Sequence, residues 1–293
     1  MRDASRCVWT GRRRARCSRG TGLREESLKG TGTEPAPTPT AVPPPRRSVE
    51  TIADGYNGGM HSDAVRLFQT LPHACGYFAE RVAQNLVIDP TAPDLDIIYP
   101  QALARGFRRA GGHLYRPRCA TCAACTPCRL PVSAFRPDRS QRRCLKRNAD
   151  VVLVDADPGY SDERHALYRR YLEDRHAGGG MEAGDAGEFT RFLVAPWGGT
   201  RFLELRLDGQ LLGVAVTDHC ADCLSAVYTF YDPAHAARGL GTLAILRQVE
   251  RARRLALPYL YLGYWISRHP KMDYKRRFRP IEMLTGEGWT RQP

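Results

Sequence analysis

The feature that most restricts this fold is the heptapeptide YLYLGYW at 259–265. In an extended chain Tyr259 and Tyr261 share one face, and Leu260 and Leu262 share the other. Two large apolar faces are the pattern of a strand buried inside a sheet. The preceding segments supply the rest of a mixed architecture. VVLVDAD near residue 151 reads as a strand. SDERHALYRRYLEDRHA reads as an amphipathic helix capped by Ser161 or Asp162, and GEFTRFLVA as a shorter helix. TRFLELRL, QLLGVAVTDH and CLSAVYTFYD are three strands, the first two joined by Asp208-Gly209, a strong hairpin signal. GLGTLAILRQVERARRLAL is a helix with Ile245, Val249, Ala252 and Ala256 on one stripe. The expected class is α+β, with this unit occupying residues 151–293.

At 293 residues the chain is long enough for two domains with real cores. Residues 60–150 form the expected smaller N-terminal domain, basic and cysteine-containing. There LPHACGYF and RVAQNLVID suggest short strands, and LDIIYPQALARGFRRAGG a helix stopping at paired glycines. DRSQRRCLKRN at 138–148 reads as a basic helix capped by Asp138 or Ser140. Residues 1–59 are different in kind. GRRRAR, EPAPTPTAVPPPRR and DGYNGG have almost no apolar periodicity and cannot bury enough surface to fold. They read as a disordered extension, or as sequence ahead of a true start at Met60. No apolar run approaches the ~18–20 residues needed to span a membrane. The N-terminus lacks the apolar stretch of a secretory signal. The expected location is the cytoplasm.

The net charge is +13, of which residues 1–59 carry +5 (eleven Arg/Lys, six Asp/Glu) and the remainder +8. That excess points to an anionic partner such as nucleic acid. Ten cysteines are too sparse for a disulfide scaffold in a chain of this length. CATCAACTPC instead sets Cys119, Cys122, Cys125 and Cys128 two residues apart, which suits zinc or an iron–sulfur cluster in a reducing compartment. Reduced thiols without metal are the alternative. Cys220-x-x-Cys223 sits at a hairpin turn with no partner pair and reads as incidental. Beside the cluster, Arg139, Arg142, Arg143, Lys146 and Arg147 fall on one helical stripe with no apolar member, so the stripe faces solvent or an anion. KMDYKRRFRP, read as extended, puts Lys275, Arg277 and Arg279 on one face. None of the eight histidines forms a pairing that suggests a triad.

The order strand, two helices, three antiparallel strands, helix, strand resembles the GNAT acyltransferase fold. That family opens the helix after its fourth strand with R/Q-x-x-G-x-G/A, whose amides hold the pyrophosphate of acetyl-CoA. Here HAARGLGTL supplies Arg238, Gly239, Gly241 and Thr242, at a spacing that fits the coenzyme motif poorly. A sharper resemblance spans about residues 70–285. YRPRCATCAAC, FRPDRSQRRCLKRNAD, YTFYDP, LGTLAILRQVE, YLYLGYWI and KMDYKRRFRP together resemble the arginyl-tRNA–protein transferase family, in its bacterial aspartate/glutamate leucyltransferase branch. The resemblance implies transfer of leucine from leucyl-tRNA to proteins with N-terminal Asp or Glu, which marks them for degradation. It implies a GNAT-like domain preceded by the smaller cysteine-containing one, and no cofactor required for the transfer step. It places Cys75 as an early family cysteine and Cys122 and Cys125 in the later cluster, where eukaryotic relatives are associated with an iron–sulfur cluster. Cys75 is followed by Gly-Tyr-Phe where the family has Tyr-Leu-Pro, and Cys128 and Cys144 look extra. The candidate ligand set is Cys75, Cys119, Cys122, Cys125 and Cys128.

The expected chemistry needs little from a general base. The aminoacyl ester is already activated, and the attacking α-amine has a pKa of ~7.7–8. Positioning and oxyanion donors supply the rate. Tyr231 and Asp232 are candidates for amine positioning or proton relay, with strand-end packing and an Asp-Pro turn as the more ordinary reading. The acceptor's acid calls for cations, preferably arginine forks. The substrate-side candidates are Arg116, the Arg139–Arg147 stripe, Arg238, Gly239, Gly241, Thr242, Lys271, Tyr274, Lys275, Arg277 and Arg279. Tyr264 and Trp265 are candidates for stacking the unpaired tRNA 3′ end, with sheet packing as the alternative. Two other function classes share these features. One is an acetyl-CoA-dependent N-acetyltransferase, and the other a non-enzymatic metal-stapled RNA-binding module.

Overall fold

The computed structural model describes residues 65–175 and 183–292. The extension at 1–59 and the candidate start at Met60 lie outside the described residues. The strands are β1 (Leu67–Gln69), β2 (His73–Ala74), β3 (Val82–Ala83), β4 (Asn85–Ile88), β5 (Arg108–Ala110), β6 (His113–Pro117), β7 (Thr126–Pro131), β8 (Val152–Ala156), β9 (Thr200–Leu207), β10 (Gln210–His219), β11 (Cys223–Tyr231), β12 (Tyr259–Trp265), β13 (Ile281–Thr285) and β14 (Gly288–Gln292). The α-helices are α1 (Leu95–Ala104), α2 (Arg139–Arg147), α3 (Asp162–Arg175), α4 (Ala186–Leu193) and α5 (Leu240–Arg254).

An eight-stranded sheet in the order β14-β13-β7-β12-β11-β10-β9-β8 dominates. Within it β8, α3, α4, β9, β10, β11, α5 and β12 follow in the GNAT-like order expected from the sequence. The Asp208-Gly209 hairpin has both residues at positive φ, 49° and 85°, as its tight turn requires. Strand alternation sorts the core into two layers. Phe202, Val214, Val216 and Phe230 meet α3 and α4 through Leu167, Tyr168, Leu172, Phe189 and Leu193. Leu203, Leu205, Ala215, Leu224 and Leu260 meet α5 through Leu243, Leu246, Val249 and Ala252. Ile245, Val249 and Ala252 of the expected stripe are buried, whereas Ala256 lies past the helix end at φ 54°.

The stretch 65–131 adds a four-stranded sheet, β1-β4-β6-β5, and the pair β2-β3. β7 does not stay with them. It lies inside the large sheet, between β12 and β13. The helix expected to run to the paired glycines stops earlier. Gly106, at φ 83°, takes the left-handed position after α1, with Gly106 N–H donating to Leu103 O and Phe107 N–H to Ala102 O. These two bonds satisfy the last carbonyls of α1, so 108–110 is released as β5. Arg109 then locks β5 onto the large sheet. Fully buried, it forks onto Asp218 at 2.5 and 2.7 Å, and Asp218 also accepts from Tyr99 at 2.9 Å and Thr200 at 2.8 Å. A buried pair this well hydrogen-bonded costs several kcal/mol to break from one side. It fixes where the neighbouring residue, Arg108, must go.

Candidate active site

β11 and β12 run parallel, and they pair only briefly, Cys223–Ser225 against Tyr259–Tyr261. Beyond Ser225 and Tyr261 the strands part. A bulge in β11 opposite Val216/Thr217 helps turn it away. The cavity at the parting is lined by residues including Ser225, Val227, Tyr261, Gly263, Arg108 and Cys128.

One cation, Arg108, lines this fork, and a second, Lys275, reaches β12 beside it. Arg108 Nη2 donates to Val227 O of β11 at 3.2 Å, and its guanidinium lies 5.8 Å from the Tyr264 ring centre. Gly263, at φ 75°, lets it in, because a Cβ there would come within 3.1 Å of Nη1. Lys275, 4 % exposed, donates from Nζ to Tyr264 O of β12 and approaches Met272 Sδ at 3.7 Å. Neither cation has a carboxylate partner among the described residues. Burial strips water from the Lys275 ammonium and lowers its pKa to about 8, with Arg108's charge adding to the effect against an opposing pull from Cys128. Each cation therefore takes up one carbonyl left over where the strands separate, and keeps donors to spare. Two uncompensated positive groups in a low-dielectric fork are arranged for an anion.

Lys275 is legible in the sequence, but its geometry differs from the expected strand. Asp273–Arg277 is a 3₁₀ turn, so Met272, Lys275 and Phe278 point inward, while Arg277 and Arg279 are exposed. Tyr274 is 42 % exposed, its phenol within electrostatic reach of Cys128, Tyr171, Tyr231 and Arg108. Lys271 is exposed. Tyr264 is not a free stacking platform. It is 1 % exposed, with its hydroxyl on Gly106 O at 3.0 Å and Tyr115 O at 3.1 Å. Trp265 is half-buried and donates to Asp273 at 3.1 Å. Tyr231 accepts from Arg175 at 2.7 Å. Asp232 Oδ1 caps the following turn by accepting from Ala234 N–H, and Oδ2 accepts from Arg170 at 3.1 Å. Arg116 is engaged locally, over the Phe107 ring and on Arg105 O.

The start of α5 is tied to α2. Arg238 forks onto Asp150 at 2.9 Å twice, and its carbonyl accepts from Asn148. Gly239, at φ 72°, sits against Cys144, Gly241 against Tyr231, and Thr242 is half-buried. A carboxylate stands where a pyrophosphate's cation would be needed. The expected basic stripe is in place on α2: Arg139, Arg142, Arg143, Lys146 and Arg147 are all exposed, while Gln141 and Cys144 are buried. Asp138 caps this helix in a reciprocal box with Gln141.

Four of the five candidate ligands, Cys75, Cys119, Cys122 and Cys125, line one small cavity with Phe78 and Arg81. Cys119 and Cys122 face each other in an antiparallel bridge, a tight knuckle. The Cys122 thiol is driven down by the Ala124 N–H and by Arg81, whose Nη1 lies 3.1 Å from Sγ. Number and chemistry of these donors fit zinc or an iron–sulfur cluster, although among the described residues no three donors converge at bonding geometry. Cys128 is separate, buried on β7 with its thiol on Gly263 O and its pKa raised to about 11 by burial.

Sequence reasoning misses Arg108, because GFRRAGG around it reads as helix. The available signal is Gly106 at a helix end, followed by two adjacent arginines. Comparison with known proteins now bears on this geometry. A family model described as "Arginine-tRNA-protein transferase, N terminus" matches residues 73–143, and its C-terminal counterpart matches 163–285. The aspartate/glutamate leucyltransferase of Stenotrophomonas maltophilia strain K279a is 56 % identical over 79 % of this chain and 94 % of its own length. That of Xylella fastidiosa strain 9a5c is 56 % identical over 78 % and 92 %. Among solved structures, the C-terminal domain of a putative lysylphosphatidylglycerol synthetase from Agrobacterium fabrum aligns at TM-score 0.38 and 13 % identity, over 58 % of this chain and 52 % of that one. On these matches the chain belongs to the arginine-tRNA–protein transferase family, beside its aspartate/glutamate leucyltransferases.

Proposed function

We propose that this chain transfers leucine from leucyl-tRNA to the α-amine of proteins beginning with Asp or Glu, in the cytoplasm, and so marks them for degradation. The observation that carries this reading is the pair of half-buried Arg108 and buried Lys275 at the fork of β11 and β12, neither with a carboxylate partner among the described residues. An acceptor's first side chain is the anion that would complete them. The α-amine, two bonds from that side chain's root, is then held beside the fork. Its nitrogen attacks the leucyl ester carbonyl and an amide bond forms. The ester bond to the tRNA 3′ ribose breaks, and the proton lost by the amine ends on the ribose hydroxyl. The exposed face of α2 is the surface proposed for tRNA phosphates. Cys75, Cys119, Cys122 and Cys125 would hold a zinc ion or iron–sulfur cluster, whose bound chemistry here is that of a staple for the knuckle next to the fork. The names of the close relatives support leucine as the donated residue.

The test uses charged leucyl-tRNA or arginyl-tRNA with peptides beginning Asp, Glu, Asn, Gln or Ala, read by mass spectrometry. A leucine-sized gain confined to Asp and Glu peptides is expected. An arginine-sized gain would correct the donor, and acetylation on adding acetyl-CoA would replace the activity.

A further inference from the structure

β11 keeps a free edge. Asp232 N–H donates to Leu212 O at 2.8 Å, so residue 232 bonds toward β10. Two and four residues earlier in the register, Phe230 and Tyr228 also face β10, opposite Val214 and Val216. The N–H and C=O groups of Thr229 and Tyr231 must therefore point the other way, toward β12. At the hairpin end Cys220 N–H donates to Cys223 O, which sets Leu224 toward β12, where the parallel ladder takes it up. That ladder ends at Ser225 and Tyr261. Val227, the extra residue of the bulge, has its O met by Arg108. Among the described residues, Thr229 and Tyr231 have no strand beside them on that side. Unpaired strand groups inside a cleft are a template for another strand.

We propose that the acceptor polypeptide adds to this edge as a short strand parallel to β11, bound through its main chain. This rests on the acceptor reading of the fork given above. The closed end of the edge carries Arg108 and Lys275, so the acidic first residue goes in first and the chain leaves past Tyr231. An edge of this kind recognises any sequence behind the first residue, because the donors and acceptors it meets are backbone groups. A parallel strand engages through every second residue, about 6.6 Å apart. Specificity for the first side chain and indifference to those that follow then have separate structural causes.

The experiment is an N-methyl scan of a six-residue Asp peptide, using leucyl-tRNA and the full chain and reading kcat/KM. N-methylation at alternate amides among residues 2–5 is expected to lower kcat/KM about fivefold or more, the size of one lost backbone hydrogen bond, with amides in between changing less than about twofold. Side-chain replacements at the same positions should change it less than about threefold. Thr229→Pro, which deletes one fork-facing N–H without touching the β10 ladder, should raise KM for the unmodified peptide and leave Tm and tRNA affinity in place. Uniform tolerance of N-methylation, or equal loss at every position, overturns strand addition while leaving leucine transfer intact. Absence of transfer to the unmodified peptide overturns the proposed activity itself, and strand addition with it.

Discussion

At the residue scale the proposed acceptor site rests on Arg108 and Lys275, and only one of them is visible in the sequence. Lys275 stands out in a run of cations. Arg108 is hidden because Gly106 ends α1 before the paired glycines, and single-sequence periodicity does not reveal a left-handed turn residue inside an otherwise plausible helix. Arg108→Met is expected to lower kcat/KM for Asp and Glu peptides by about 100-fold or more, the loss of a charge-assisted pair in a desolvated site. Arg108→Lys should recover only part, since an ammonium lacks the fork that meets Val227 O and a carboxylate together. Peptide kinetics with unchanged leucyl-tRNA affinity checks both, and an unaltered acidic preference in Arg108→Met would remove the residue from the site. Lys275 gives a sign that differs between function and stability. Its folded pKa of about 8 lies below its ordinary 10.5. The unfolded chain therefore binds more protons between those values, and stability rises as pH climbs from about 8 to 10.5. The penalty is present in full at about pH 7, so Lys275→Met should raise Tm there while weakening acidic acceptors. Activity runs the other way. Above about pH 8 the site loses a charge, whereas below ~8 the acceptor amine is protonated, so kcat/KM should be bell-shaped with its maximum near ~8. Lys275→Arg should move the alkaline limb upward, and a profile that does not respond to this change would contradict the assignment.

At the element scale the sequence is most legible where one period runs uninterrupted. β9 to β12, α3 and α5 follow directly from alternation and the helical stripe. α2 is legible down to its cap, because Asp138 and Gln141 at N-cap and N3 are a local signal that tertiary packing does not override. KMDYKRRFRP defeats a strand reading because its inward residues recur every third position, Met272, Lys275 and Phe278, and one of those three is a lysine. A 3₁₀ period with a buried cation looks like neither a strand nor an amphipathic helix. The exposed face of α2 carries a prediction of its own. Arg139→Glu, Arg143→Glu and Lys146→Glu together should weaken leucyl-tRNA binding about tenfold or more at low salt and reduce the salt slope by about one for each phosphate no longer neutralised. Tm should stay within a few degrees, since none of the three side chains is buried. A salt slope equal to the parent's would take the tRNA off this helix. The cysteine cavity belongs to the same scale. Serine at both Cys122 and Cys125 should remove bound zinc or iron in elemental analysis and lower Tm; metal content equal to the parent's would rule out these thiols as ligands.

At the scale of the whole molecule, sequence order and spatial order diverge, and this is what a linear reading does not reach. Residues 60–150 read as a domain before the acyltransferase unit, yet β7 from that stretch is hydrogen-bonded to β12 over six register positions and to β13 beyond it. Leu130, Val132 and Phe135 are fully buried in the same core as α5. Arg253 of α5 donates to Val132 O and Phe135 O. Nothing in TPCRLP announces which partner strand it will choose, since pairing across more than a hundred residues is set by global packing and not by local period. The fork depends on this arrangement. β12 can part from β11 without losing its place because β7 holds its other edge, and Arg108 reaches the gap because β5 is clamped to β10 through Arg109 and Asp218. A chain beginning at 151 would leave β12 unpaired along that edge, expose Leu260 and Leu262, and lack Arg108. Such a fragment is expected to stay unfolded or aggregate, without cooperative thermal unfolding, and to regain structure and activity only when residues 65–150 are supplied in the same chain or as a co-expressed partner. A fragment 151–293 that unfolds cooperatively on its own, by circular dichroism and calorimetry, would show instead that the fork's two sides are independent folding units and that Arg108 reaches it by docking.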